Sequence, residues 1–162
     1  MTVFIAFDQA TVISGYSVYR DKDLITYGKF SAEGEDLLRY STQKEHVLEL
    51  IEYTSNKFPG EKIKVTFEDI QLQQNTTTFK QLAQLQGALA VGVIETYPDI
   101  DINFVFASEW KSFSKIKGRK RAEQKRNAQA KVEELFGVKA TQDESDALLI
   151  GYFVSHREVS FK

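Results

Sequence analysis

Asp8, Glu68, Asp143 and Asp146 are four carboxylates whose places in the chain would let them share one task. Asp8 ends the apolar run Val3-Phe4-Ile5-Ala6-Phe7, which reads as a strand buried on both faces that delivers an acid at its carboxyl end. An acid in that position, taken alone, more often starts a turn than serves a site. Glu68 ends a second strand, Ile63-Lys64-Val65-Thr66-Phe67-Glu68, and continues its polar face, whereas Asp69 continues the apolar one. Asp143 and Asp146, three positions apart at the start of a helix, share a face, and Glu144 points a quarter turn or more away. Converging acids raise one another's pKa and strain the fold unless positive charge sits among them. A hard divalent cation, Mg²⁺ above all, takes carboxylate oxygens and keeps positions open for water and phosphate. Two such ions about 3.5 to 4 Å apart activate water and stabilise the leaving oxygen in phosphodiester hydrolysis.

A polyanion contact is placed beside this group. Lys111, Lys115, Lys117, Arg119, Lys120, Arg121, Lys125 and Arg126 fall within one segment against the single acid Glu123, although the whole chain carries a net charge of −2. A cationic run on an otherwise acidic chain is the pattern of a localised nucleic-acid contact, and a solvated basic helix start is its plainer alternative.

The elements that must position these residues follow from periodicity. Val3–Asp8, Ser14–Tyr19 and Leu24–Phe30, with a polar turn at Arg20–Asp23, form a three-stranded antiparallel meander. A long amphipathic helix from about Glu35 to Asn56, with Leu37, Leu38, Val47, Leu48, Leu50 and Ile51 apolar, connects it to the Ile63–Glu68 strand, which is thereby parallel to the first strand. An amide- and hydroxyl-rich stretch holding Gln71 and Gln74 leads into a helix from about Thr78 to Thr96, capped by Thr76, Thr77 or Thr78. That helix has little polar surface, so it lies either between the sheet and another helix or at a subunit interface. Ile102–Phe106 is a fifth strand, followed by a loop carrying Trp110 and the basic run. Trp110 suits a core anchor, or a platform for a base. Helices from Arg121 to about Gly137 and from about Asp143 close the chain. The expected architecture is α/β, a five-stranded mixed sheet with three antiparallel and two parallel strands flanked by helices, in a single domain over residues 1–162.

Composition limits the other classes. A chain of 162 residues, 42% hydrophobic, has room for one ordinary core. Without cysteine there are no disulfides, thiolate metal sites or cysteine nucleophile. Neither a leader-like segment nor an apolar stretch of membrane length is visible, so a cytoplasmic protein without membrane association is expected. No phosphate-cradling glycine loop or hydrolase nucleophile motif competes with the metal reading. The actin-like ATPase domains share the opening strand, acid and hairpin but need a second domain.

Ile5-Ala6-Phe7-Asp8 with Gly15-Tyr16, Phe67-Glu68, Leu85-Gln86-Gly87-Ala88 and Asp143-Glu144-Ser145-Asp146-Ala147-Leu148 come in an order and spacing that resemble the RuvC family of Holliday junction resolvases, within the RNase H-like superfamily, over nearly the whole chain. The resemblance implies a homodimeric endonuclease, dependent on Mg²⁺ or Mn²⁺ with two ions per site, that nicks opposed strands of a four-way DNA junction. It implies that Asp8, Glu68, Asp143 and Asp146 are the metal ligands and that a lysine assists. Lys111 falls where the family has a basic residue after the fifth strand, and Lys125 matches the one at the start of the next helix; Lys120 stays open. DNA contacts are assigned to Lys111, Lys115, Lys117, Arg119, Lys120, Arg121, Gln71 and Gln74. Two departures stand out. Gln9-Ala10 replaces the family's Pro-Gly, and Gln71 takes the place of an aromatic three residues after the glutamate. Broader RNase H-like nucleases acting on branched DNA, RNA or hybrids, and a non-catalytic, structure-selective DNA-binding protein, remain the competing readings.

Overall fold

The computed structural model describes residues 1–72 and 75–157. Its sheet has the order β3-β2-β1-β4-β5. β1 (Thr2–Asp8) is the central strand, as its two-sided apolar pattern requires. It pairs antiparallel with β2 (Ile13–Arg20), which pairs antiparallel with β3 (Asp23–Ser31), and parallel with β4 (Lys62–Glu68), which pairs parallel with β5 (Asp101–Val105). The expected mixed sheet is the observed one.

Side-chain alternation along β1 and β4 sorts the core into two layers. Val3, Ile5 and Phe7, with Ile63, Val65 and Phe67, pack beneath α1 (Asp36–Lys57) and α2 (Thr76–Thr96), and the Phe7 and Phe67 rings stack at 5.4 Å. Ala6 on the opposite face packs with Leu148, Leu149 and Ile150 of α5 (Gln142–His156), against which lies α4 (Arg121–Phe136). Thr66 shares this second face and is fully buried, so the polar side of β4 is covered by protein at Thr66, while Lys62 at its start is exposed. Asp8 and Glu68 continue that face, and this turns both toward the helix that carries Asp143 and Asp146.

α5 sits unusually close to β2. Ser17 Oγ donates to the Ala147 carbonyl and Tyr19 Oη to the Leu148 carbonyl, each at 2.6 Å. The approach needs Gly15, where a Cβ would stand 1.9 Å from the Asp143 carbonyl oxygen. Because Gly15 pairs with Asp8 across the ladder, the same contact fixes the start of α5 beside the end of β1.

Three expectations are corrected and one alternative is decided. The segment carrying Trp110 is a short helix, α3 (Ala107–Phe113), and β5 stops at Val105. Asn75 rather than a threonine caps α2, its Oδ1 accepting from the Thr77 and Thr78 N–H groups. Leu37 and Leu38 of α1 stand exposed, and burial there falls on Tyr40, Val47 and Ile51. α2 packs against the sheet and α1 through Leu85, Leu89 and Val93 but leaves Val91 and Ile94 more than half exposed. Among the described residues no helix is long and apolar enough to cross a membrane.

Candidate active site

The carboxyl ends of β1 and β4, the start of α5, and α3 and α4 enclose a cleft of about 480 Å³. It lies where crevices form in open α/β sheets. Asp8, Glu68, Asp143 and Asp146 all line it, together with Lys111 from α3 and Arg121 and Lys125 from α4. The first turn of α5 presents its acids selectively. Thr141 Oγ1 accepts from the Glu144 N–H, and a Glu144 carboxylate oxygen accepts from the Thr141 N–H, so Glu144 is spent as a cap while Asp143 and Asp146 face the cleft.

Electrostatics in the cleft follow from this crowding. Burial pushes the Asp8 carboxyl well above the ordinary aspartate range, and Glu68 and Asp146 push it further. Asp146 is pushed up to about 7, first by burial and then by Glu68, while Lys111 and Lys125 pull the other way. The two lysines therefore act on the same acid from two helices. Among the described residues no three acids stand close enough to form a finished ligand set. As donors they nevertheless fit a hard divalent cation: all are carboxylate oxygens at one cleft, and burial together with their neighbouring acids disfavours the charged form of two of them, which a cation would relieve. Asp8, Glu68, Asp143 and Asp146 are the cleft carboxylates that could supply oxygen ligands to such an ion.

Several contributors were not legible beforehand. Trp110 is a core residue, 1% exposed, yet its Nε1 donates to Glu68 Oε1 at 3.2 Å. It thus orients a site carboxylate from below. Lys111 Nζ lies 5.5 Å from the Trp110 ring centroid and donates to Gln124 Oε1 at 3.1 Å, while Gln124 Nε2 donates to the Gly118 carbonyl at 2.9 Å. Gln9 also lines the cleft and is bonded to the Glu68 backbone. The sequence signal for Trp110 was its place directly before Lys111. Gln124 was hidden inside the charged run.

The remaining assigned residues separate by position. Gln71 is on the cleft wall and exposed. Lys115, Lys117, Arg119 and Lys120 are exposed on the α3–α4 connection and do not line the cleft, so of the three lysines left open Lys111 and Lys125 reach it and Lys120 does not. Gln74 lies outside the described residues.

Comparison with known proteins agrees with this fold. The family model described as crossover junction endodeoxyribonuclease RuvC matches residues 5–155. A search of curated protein sequences gave no match. Thermus thermophilus RuvC in complex with Holliday junction substrate superposes with a TM-score of 0.70 at 16% identity, covering 94% of this chain and 92% of that one. Another structure of Thermus thermophilus RuvC gives a TM-score of 0.68 at 16% identity, covering 93% and 92%. The yeast mitochondrial Holliday junction resolvase Ydc2 gives 0.52 at 12% identity, covering 94% and 78%. At such identities these likenesses speak for the fold.

Proposed function

Because the chain belongs to the RuvC family of crossover junction endodeoxyribonucleases, we propose that it resolves four-way DNA junctions by metal-dependent hydrolysis of opposed phosphodiesters. The observation that carries the mechanism is the shared cleft, in which four carboxylates meet two lysines and an arginine. Asp8, Glu68, Asp143 and Asp146 would hold Mg²⁺ or Mn²⁺, with two ions per site. When bound, such cations lower the pKa of attacking water and offset charge on the leaving oxygen. The protein's own groups do the rest. Trp110 keeps one Glu68 oxygen in place, leaving the other free to bind. Lys125 and Lys111 offset the negative charge of Asp146 at the cleft wall, where a phosphate would be held, Lys125 acting as the assisting lysine. Lys115, Lys117, Arg119, Lys120 and Arg121 hold the DNA backbone, and Gln71 and Gln74 contact it at the junction.

Matched cuts across a two-fold junction require two active sites related by that symmetry. A homodimer formed through Leu82 to Ile94 of α2 would provide them, and the exposed Val91 and Ile94 support this face. The product is read as a cytoplasmic recombination and repair nuclease. A second reading, a nuclease of broader branched-DNA specificity, is favoured by Gln71, since an amide at the cleft wall provides no ring to wedge between bases.

Cleavage of synthetic four-way, three-way, flap, duplex and RNA–DNA hybrid substrates in Mg²⁺ or in EDTA tests these readings. Paired nicks in the four-way junction, in Mg²⁺ alone, are expected. Equal cutting of three-way and flap substrates would replace junction resolution with the broader activity, and no cleavage of any substrate in Mg²⁺ or Mn²⁺ would overturn both.

A further inference from the structure

Gln9 follows the first acid of the site and is only 8% exposed. A buried primary amide must find partners, and this one finds both on a single residue. Its Nε2 donates to the Glu68 carbonyl oxygen at 2.6 Å, and its Oε1 accepts from the Glu68 N–H at 3.1 Å. The parallel ladder between β1 and β4 has its last register pair one step earlier, Phe7 opposite Phe67. A carboxamide carries a donor and an acceptor side by side, as a strand's peptide units do, so the Gln9 side chain takes the next place in the ladder.

The backbone that follows β1 is meanwhile drawn elsewhere. Ser14 Oγ accepts from the Ala10 N–H at 3.0 Å and donates to Gln43 Oε1 at 2.9 Å, and Gln43 Nε2 donates to the Val12 carbonyl at 2.9 Å. The turn after Asp8 is therefore tied to α1 and not to β4. On its other side β4 is held to β5, the Asp69 N–H donating to the Val105 carbonyl at 2.7 Å. Glu68 is thus gripped by Gln9 at its backbone and by Trp110 at its carboxylate, at the point where the β1–β4 ladder no longer holds it.

We propose that Gln9 is a positioning residue: its side-chain amide substitutes for the missing rung between β1 and β4, fixes Glu68 relative to Asp8, and so sets how tightly the acids hold a divalent cation. This rests on the reading of Glu68 as a metal ligand. The amide serves the task that the turn sequence Gln9-Ala10 leaves to a side chain.

Mn²⁺ binding to the metal-free protein, followed by electron paramagnetic resonance of the free ion well below the melting temperature, is the test. Gln9→Met keeps the length and removes both hydrogen bonds; Gln9→Asn keeps the amide but is one methylene short and is the variant to use if the first does not fold. Either should bind Mn²⁺ about ten-fold more weakly, raise the Mg²⁺ concentration for half-maximal junction cleavage by a similar factor, and bind the junction in EDTA as wild type does. A lowered melting temperature with unchanged Mn²⁺ affinity would make Gln9 merely structural and overturn the proposal. Glu68→Gln separates the two levels. If it loses Mn²⁺ affinity while both Gln9 variants keep theirs, only the role of Gln9 falls; if it binds Mn²⁺ like wild type, the ligand reading falls and the role of Gln9 with it.

Discussion

Asp8 and Asp146 hold their protons to higher pH in the folded chain than they would in an unfolded one, since burial and neighbouring acids disfavour their charged forms. The sign of the consequence is set by linkage. In the interval where the folded state binds protons that the unfolded chain has released, stability falls as pH rises. For Asp146 that interval runs from the ordinary value of 3.8 up to about 7. Without metal, wild type should therefore lose stability relative to Asp146→Asn across this interval, and Mg²⁺ should restore wild type above it but not the variant. Melting temperatures in EDTA and in Mg²⁺ as a function of pH check this. A difference between the two proteins that stays constant with pH would show that Asp146 ionises freely. At the same scale Trp110 joins two roles that its residue type alone does not reveal: its ring fills the core beneath the cleft, and its N–H orients Glu68.

At the scale of elements, the site is a product of parity and close approach. Alternation along β1 and β4 puts Asp8 and Glu68 on the α5 side, and Gly15 lets α5 come down onto β2. Gly15→Ala would drive a Cβ into the Asp143 carbonyl, so we expect a loss of about 1–3 kcal/mol from overpacking, read as a lower midpoint in urea, with cleavage falling further because Asp143 moves with its helix. An unchanged midpoint would mean that α5 is free to shift. Much of this layer was legible in the chain. β1 announced itself by an apolar run and β4 by its alternation, each ending in an acid, and the three-residue spacing of Asp143 and Asp146 gave their common face. What was not legible depended on contacts between distant segments. α3 is seven residues long, too short for an apolar period to declare it. The burial of Thr66 could not be read from a strand whose alternation is that of a sheet with one wet face. Asn75 was passed over as a cap because three threonines follow it, although its side chain bonds the N–H groups of two of them.

The whole molecule divides its charge by place. A net charge of −2 conceals one basic segment and one acidic cleft that meet at α3 and α4. DNA held by the exposed basic residues of the α3–α4 connection would thereby lie over carboxylates that only a cation can make compatible with phosphate. α2, on the opposite layer of the sheet, leaves Val91 and Ile94 exposed, and this is the face through which we propose that two copies pair. The central claim is that Asp8, Glu68, Asp143 and Asp146 act together on a junction. Its most direct test is single-turnover cleavage of a synthetic four-way junction in Mg²⁺ by Asp8→Asn, Glu68→Gln, Asp143→Asn and Asp146→Asn, alongside junction binding in EDTA. Each variant should bind as tightly as wild type or more so, and cleave slower by more than about a hundredfold, beyond the effect of losing a residue that merely supports a ligand. Cleavage at the wild-type rate by any of the four would contradict the account.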